Sequence, residues 1–415
     1  IAGTAGDDDI EGGVGDDTIT GGAGADTING GDGADTFIVD SGIDTITDFG
    51  IGGSNALVVT DGATAIATVS VNYVGGSTTS NTDGTATLNS ENFNVDLSLV
   101  NSGNTGFTIN ASASSEAVVL AGSSFADTIK GGAGDDTITG TAGSDTLTGG
   151  AGDDQFNVDA GDDIITDLAT DDIVDVAATA TVTANDVTAF VATADTQNLG
   201  GDAANFVINS DADGSTIDME LAKVASAADD GFTLNGGAGV DNLTGSDGGD
   251  VITGGAGADT LTGGDGDDRF VYNGTGELFT ANRLVDSLID GGIGDDAIVY
   301  KSGGNGVTIA SEDSFEGMSD VEIISFGEGV EGNITIRLND DAYSDGIRVV
   351  DLSGDDDASG NNTIDVSNES GAANGFELIG SDHADTITGG AGADIITGGI
   401  GADTLTGGAG ADTLK

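Results

Sequence analysis

Large apolar residues recur at every ninth position in four runs along this chain. Ile10, Ile19, Ile28 and Phe37 form the first, and Ile129, Ile138, Leu147 and Phe156 the second. Leu243, Ile252, Leu261 and Phe270 form the third, and Ile387, Ile396, Leu405 and Leu414 the fourth. An amphipathic helix repeats near 3.6 residues and a half-buried strand near 2, so neither explains a period of nine. A nine-residue unit with one inward-facing residue reads as a short strand closed by a tight loop. Such a unit cannot bury its apolar side alone, which predicts an all-β stacked coil.

The polar positions keep the same period. The unit is Gly-Gly-x-Gly-x-Asp-x-(Ile/Leu/Phe)-x, present 17 times with some glycines replaced, and its sixth residue is always Asp. These are Asp8, Asp17, Asp26 and Asp35 in 3–38, and Asp127, Asp136, Asp145 and Asp154 in 122–157. They are Asp241, Asp250, Asp259 and Asp268 in 236–271, and Asp385, Asp394, Asp403 and Asp412 in 380–415. A separate copy, Gly291 to Val299, carries Asp296. The register outlasts the glycines: Asp44 with Ile46 follow Asp35, and Asp163 with Ile165 follow Asp154. Glu277 with Phe279, then Asp286 with Leu288, continue the count from Asp268.

Glycine at positions one, two and four permits positive φ and close backbone approach, so six residues can turn tightly. Two repeats then make one coil turn, and repeats n and n+2 stack about 4.8 Å apart. Asp8 is expected near Asp26, and Asp17 near Asp35. Carboxylates at that spacing repel unless a cation lies between them. Calcium accepts six to eight carboxylate and carbonyl oxygens in flexible geometry, whereas magnesium demands a strict octahedron. Zinc prefers nitrogen and sulfur, and the chain has one His and no Cys. The twenty Asp residues named above, from Asp8 to Asp412, are the candidate calcium ligands, for roughly 10–20 ions.

The runs organise the chain into blocks at 1–49, 122–169, 236–299 and 380–415, with segments 50–121, 170–235 and 300–379 between them. The segments are acidic and rich in Ala, Val and Thr, and read as short strands, for example Thr64 to Tyr73, Asn94 to Val100, Ile173 to Val182 and Ile334 to Leu338. Met219 to Lys223 is expected to make a helical turn at most. The segments end alike, on Gly106-Phe107-Thr108-Ile109, Gly231-Phe232-Thr233-Leu234 and Gly375-Phe376-Glu377-Leu378.

Composition narrows the function. The chain carries 73 acidic against 8 basic residues in 415, a formal net charge of −65. Phosphate binding needs clustered Lys and Arg, so nucleic acid is not an expected partner. That much like charge also opposes compaction unless counter-ions enter the structure. There is no Cys, Pro or Trp, hence no disulfide, and no apolar run of transmembrane length. His383 is the single histidine and occupies a glycine position of a repeat; a solvated loop explains it better than a catalytic triad. No nucleophile elbow or phosphate-binding loop is present, and the chain is not expected to be an enzyme.

The repeats resemble the RTX family of secreted calcium-binding nonapeptide-repeat proteins. The match is carried by the 17 copies and by the block endings Gly42-Ile43-Asp44-Thr45-Ile46-Thr47-Asp48-Phe49 and Gly161-Asp162-Asp163-Ile164-Ile165-Thr166-Asp167-Leu168. The resemblance implies a right-handed parallel β-roll, type I secretion as an unfolded chain, and folding in calcium outside the cell, with the sixth-position Asp residues, Asp44 and Asp163 as ligands. The segments between blocks are similar in style to those of bacterial surface-layer and matrix members.

These features lead to an expectation of an extracellular structural protein: a subunit of a surface layer, filament or matrix, self-associating head to tail or in a lattice. The alternatives are the stalk of a large adhesin or the repeat region of a secreted enzyme or toxin. Ile1-Ala2 occupy the end of a repeat whose start lies before the chain, and the last block lacks the closing Phe of the others. The chain is therefore expected to be a window on a longer array, attached to a cell surface, if at all, through regions outside it.

Overall fold

A computed structural model describes residues 1–177, 180–198, 206–210, 214–224, 231–273, 275–280, 283–301, 306–327, 330, 332–355, 361–371 and 375–415. The chain divides into two compact units, Ile1–Gly200 and Gly201–Lys415. Each is a parallel β-roll, and no helix among the described residues is long and apolar enough to cross a membrane.

In the first unit one sheet runs through both blocks and the segment between them. Its strands include Asp9–Val14, Thr27–Asp32, Ile43–Phe49, Thr64–Val69, Thr85–Ser90, Thr108–Asn110, Thr128–Lys130, Thr146–Thr148, Gly161–Ile165 and Ala180–Val187, each parallel to the next. The register stacks one apolar column: Ile10, Ile28, Ile46, Ala67, Leu88, Ile109, Ile129, Leu147, Ile165 and Ala184. All but Ile10, at 7%, are less than 2% exposed. Fully burying one Leu or Ile side chain contributes about 1.5–3 kcal/mol, so the column is a large part of what holds the coil.

The second face changes along this unit. In the first block it is formed by Thr18–Thr20 and Thr36–Val39, continued by Ala56–Val59, Ser80–Asn81 and Ser102–Gly103. A third face opens at Tyr73–Val74, continues through Val95–Asp96 and Val119–Ala121, and becomes the second face of the next block at Thr137–Thr139 and Gln155–Val158. The blocks are thus two-sided with 18-residue turns. The segment between them is three-sided with turns of 21 to 25 residues. Aromatic rings collect where the section widens: Phe37 lies 5.8 Å from Phe49, which lies 4.5 Å from Tyr73. A chain poor in aromatics spends them where the core is broadest.

The second unit repeats the scheme. Its apolar column is Ile208, Leu234, Ile252, Phe270, Ile298, Ile324, Val350, Leu378, Ile396 and Leu414. A second face carries Ile217, Leu243, Leu261, Ile289 and Met318, and another carries Ile309, Ile336, Ile364, Ile387 and Leu405. Tyr300 stacks on Phe326 at 5.1 Å where the turns lengthen.

Several sequence expectations need refinement. The stretch Thr64 to Tyr73 is two strands, Thr64–Val69 and Tyr73–Val74, on different faces, and Ile173 to Val182 divides likewise into Ile173–Val176 and Ala180–Val187. Asn94 to Val100 holds the short strand Val95–Asp96 and then a turn closed by Val100 N–H on the Leu97 carbonyl. Alternation signals extended chain but is blind to the corners that a closed coil requires. Met219 to Lys223 is a turn, as expected, closed by Ala222 N–H on the Met219 carbonyl at 2.9 Å. Two helices were not foreseen, Thr275–Leu278 and Asp340–Ser344. Asn339 caps the second, its Oδ1 accepting from Asp341 N at 2.9 Å.

The first of these helices overturns one register assignment. Counting by nines places Glu277 beneath Asp259 and Asp286 beneath Asp268. Instead, Asp286 accepts from the Asp259 N–H and Asp296 from the Asp268 N–H. The helix Thr275–Leu278 and the antiparallel pair of strands Phe279–Thr280 and Arg283–Leu284 stand apart from the coil's parallel sheets, and Glu277 accepts from Asn273 N–H at 2.7 Å.

Candidate metal centre

Stacking brings the sixth-position carboxylates into files. Oδ1 of each accepts the backbone N–H of the residue one coil turn earlier: Asp26 from Asp8 at 2.8 Å, Asp35 from Asp17 at 2.9 Å, and Asp44 from Asp26 at 3.2 Å. The same bond joins Asp127 to Asp145, Asp136 to Asp154, and Asp145 to Asp163, at 2.7–2.9 Å. It joins Asp241 to Asp259, Asp250 to Asp268, Asp385 to Asp403, and Asp394 to Asp412. Asp8, Asp17, Asp403 and Asp412 are half-buried; the other sixteen candidates are buried, none more than 6% exposed.

The second oxygen is the informative one. Oδ2 of Asp26, Asp35, Asp44, Asp145, Asp163, Asp259, Asp268 and Asp296 is buried and has no hydrogen-bond partner. A buried ionised oxygen without a partner is costly, and burial raises Asp35, Asp44, Asp145, Asp163, Asp259, Asp268 and Asp296. Asp44 and Asp163 are pushed up to about 6, Asp145 and Asp154 to about 7, and Asp268 to about 9, with neighbouring carboxylates adding to the effect of burial.

The orphan oxygens face a hollow that only glycine leaves open. A Cβ on Gly21 would lie 2.4 Å from Asp26 Oδ2 and 2.5 Å from Asp44 Oδ2. On Gly140 it would meet Asp145 Oδ2 at 2.5 Å; on Gly263, Asp268 Oδ2 at 2.0 Å and the Gly291 carbonyl at 2.4 Å. Position one is therefore glycine for lack of a side chain, since Gly21, Gly140 and Gly263 do not have positive φ. Among the described residues no three His, Asp or Glu side chains converge on one point, so the donor set is one or two carboxylates with backbone carbonyls. An all-oxygen hollow with buried, unpartnered carboxylate oxygens fits calcium.

The block endings have a distinct role. Asp48 accepts from Gly30 N at 2.9 Å and Gly31 N at 2.7 Å, and Asp167 from Gly149 N at 2.9 Å and Gly150 N at 2.8 Å. Each closes the last loop of its side with hydrogen bonds. Where the file leaves the first block, Asn55 replaces Asp and accepts from Asp35 N–H at 2.9 Å, keeping the bond without the charge. The Gly-Phe motif ending each segment starts the next file: Phe107, Phe232 and Phe376 donate their N–H to Asp127, Asp250 and Asp394. The preceding glycine is required because a Cβ on Gly106, Gly231 or Gly375 would lie within 2.5 Å of a carbonyl of the next turn.

Sequence reading missed Asp172. It lies nine residues after Asp163, and its Oδ1 accepts from Asp154 N–H at 2.9 Å; the register itself would have found it. Glu322, which accepts from Asp296 N–H at 3.1 Å, has no such signal, because a 26-residue turn breaks the count. His383 donates its backbone N–H to Ser381 Oγ at 3.2 Å in a repeat loop.

No curated protein matches the chain. A family model described as the RTX calcium-binding nonapeptide repeat matches residues 2–37, 11–46, 121–156, 131–165, 148–178, 234–270 and 379–414. The four repeat blocks of this chain, two in each unit, are RTX calcium-binding nonapeptide repeats.

Proposed function

We propose that this protein is an extracellular structural protein, folded and stiffened by calcium, that self-associates as a subunit of a surface layer, filament or matrix and has no catalytic role. The observation that carries the reading is the set of buried, unpartnered Oδ2 atoms facing glycine hollows. Asp8, Asp17, Asp26, Asp35, Asp44, Asp127, Asp136, Asp145, Asp154, Asp163, Asp241, Asp250, Asp259, Asp268, Asp286, Asp296, Asp385, Asp394, Asp403 and Asp412 form the carboxylate files from which the ligands are drawn, with position-one glycine carbonyls beside them. Bound calcium supplies the positive charge that a chain of net charge −65 lacks and ties successive turns together; metal binding and folding are then one event.

The structural role is supported by how the sequence is used. The coil recruits both the blocks and the segment between them in the first unit, so the chain is devoted to building it. The stalk of a larger adhesin is the second reading, favoured by that same continuity. Secretion through a type I system accords with the family.

Electron microscopy in calcium, after chelation and after calcium is restored tests the proposal. Sheets or filaments that dissolve and re-form support it. Isolated molecules at every calcium level favour the stalk, and assemblies indifferent to chelation overturn the calcium-dependent reading.

A further inference from the structure

The seventeen repeat loops adopt two conformations. In ten of them the residue at position two has positive φ: Gly13, Gly22, Gly31, Thr141, Gly150, Gly255, Gly264, Gly292, Gly399 and Gly408. In the other seven it does not, and its backbone N–H turns inward onto Oδ2 of its own sixth-position Asp. These latches are Thr4 on Asp8 at 2.6 Å, Ser123 on Asp127 at 2.6 Å, Gly132 on Asp136 at 2.6 Å and Gly237 on Asp241 at 3.1 Å. The remaining three are Ser246 on Asp250 at 2.6 Å, Ser381 on Asp385 at 2.7 Å and Gly390 on Asp394 at 2.8 Å.

Where position two of a latched loop is Ser or Thr, the hydroxyl adds a second donor to the same oxygen, at 2.9 Å from Thr4 and Ser123, 3.2 Å from Ser246 and 3.1 Å from Ser381. No latched Asp has an orphan Oδ2. Every orphan on a repeat loop (Asp26, Asp35, Asp145, Asp259, Asp268 and Asp296) belongs to a loop of the positive-φ class.

The two classes occupy different places. Within the chain, each positive-φ loop after Gly13 has its position-two α-carbon against the position-two carbonyl of the loop one turn earlier or, for Thr141, donates its hydroxyl to that carbonyl, on Ser123. Six of the seven latched loops follow a segment turn, Gly132, for example, lying against the Ser114 carbonyl; of the two loops in the first coil turn, that of Thr4 is latched and that of Gly13 is open. Thr141 shows that the open conformation is imposed rather than chosen by glycine: a β-branched residue is held at φ +75°, a conformation costly for such a side chain.

We propose that the latched loops do not use their carboxylates for calcium: Asp8, Asp127, Asp136, Asp241, Asp250, Asp385 and Asp394 are held by internal donors, the six that follow a segment turn forming calcium-independent starting caps, while the positive-φ loops hold the ions. A carboxylate oxygen already receiving an N–H, and in four loops a hydroxyl, has its charge met without a cation, and Ser at position two marks such a loop in the sequence. This deepens the calcium reading above and rests on it.

Native mass spectrometry of the full chain in calcium counts bound ions one at a time, with circular dichroism checking that each variant folds. Asp145→Asn is expected to lose at least one ion, and Asp127→Asn, its latched neighbour in the same file, to keep the wild-type number. Asp268→Asn against Asp250→Asn repeats the comparison in the second unit, guarding against a variant that fails to fold. Loss of an ion from Asp127→Asn or Asp250→Asn, or none from Asp145→Asn and Asp268→Asn, overturns the proposal. A wild-type chain that binds no calcium instead overturns the reading on which it rests.

Discussion

Asp26 and Asp44 lie on successive turns of the first block: Oδ1 of Asp44 accepts the Asp26 backbone N–H at 3.2 Å, while neither Oδ2 meets a donor and both face the α-carbon of Gly21. One half of the carboxylate file is built from ordinary hydrogen bonds and the other half is left for an ion. The fold is therefore complete in its backbone and incomplete in its charge.

Calcium removal should expose that incompleteness. On chelation the strand signal in circular dichroism is expected to fall for the blocks, and to return when calcium is added. Asp44→Asn keeps the Oδ1 acceptor and removes one charge from the hollow; it should raise the calcium concentration at the folding midpoint, and an unchanged midpoint counts against the site.

Acid should act oppositely with and without calcium. Burial holds Asp145 and Asp154 up to about 7 and Asp163 to about 6, against an ordinary 3.8. Without calcium the folded state thus binds more protons than the unfolded chain between about pH 4 and 7. Its stability should rise as pH falls through that window, being fully present below about 4 and lost above about 7. With calcium the ligands must be ionised, so the same acidification should weaken the fold. Urea midpoints at pH 7 and pH 5, with calcium and with chelator, test the crossing.

Glycine substitutions should sort by position. A Cβ on Gly21 falls on both carboxylate oxygens, so Gly21→Ala is expected to cripple calcium-dependent folding. Gly6 lies in the same family of loops, has no positive φ, and a Cβ there meets nothing within 4 Å. Gly6→Ala should change stability by less than ~0.5 kcal/mol, and equal effects at the two sites would contradict the hollow.

The core column should be intolerant. Phe156 is fully buried and stacks in register between Ile138 and Val174. Phe156→Ala should destabilise the calcium-loaded first unit by about 3–5 kcal/mol, read from calcium-saturated urea melts.

The block endings offer a test independent of the ion. Asp48 accepts the N–H groups of Gly30 and Gly31. Asp48→Ala should cost about 1–3 kcal/mol by leaving them unsatisfied, with the number of bound ions unchanged.

Much of this architecture is written in a period of nine. An inward Ile two residues after an Asp, with glycines before it, fixes a short strand, a tight loop and a stack, because no other arrangement buries that residue and accommodates that loop; the twenty candidate Asp residues and the cation they call for follow from the same pattern. What the pattern does not contain is anything set by chain on another turn. The segments between blocks lack the period, so only the assembled sheet in the first unit shows that they carry the coil onward with a third face. Glu277 keeps the count and yet leaves the file, because the chain around it folds into a helix and an antiparallel pair of strands. The latch on Asp127 and the open hollow at Asp145 arise from nearly the same nine residues. Position two of a loop turns inward or outward according to what lies one turn before it, and that neighbour is supplied by the tertiary structure alone.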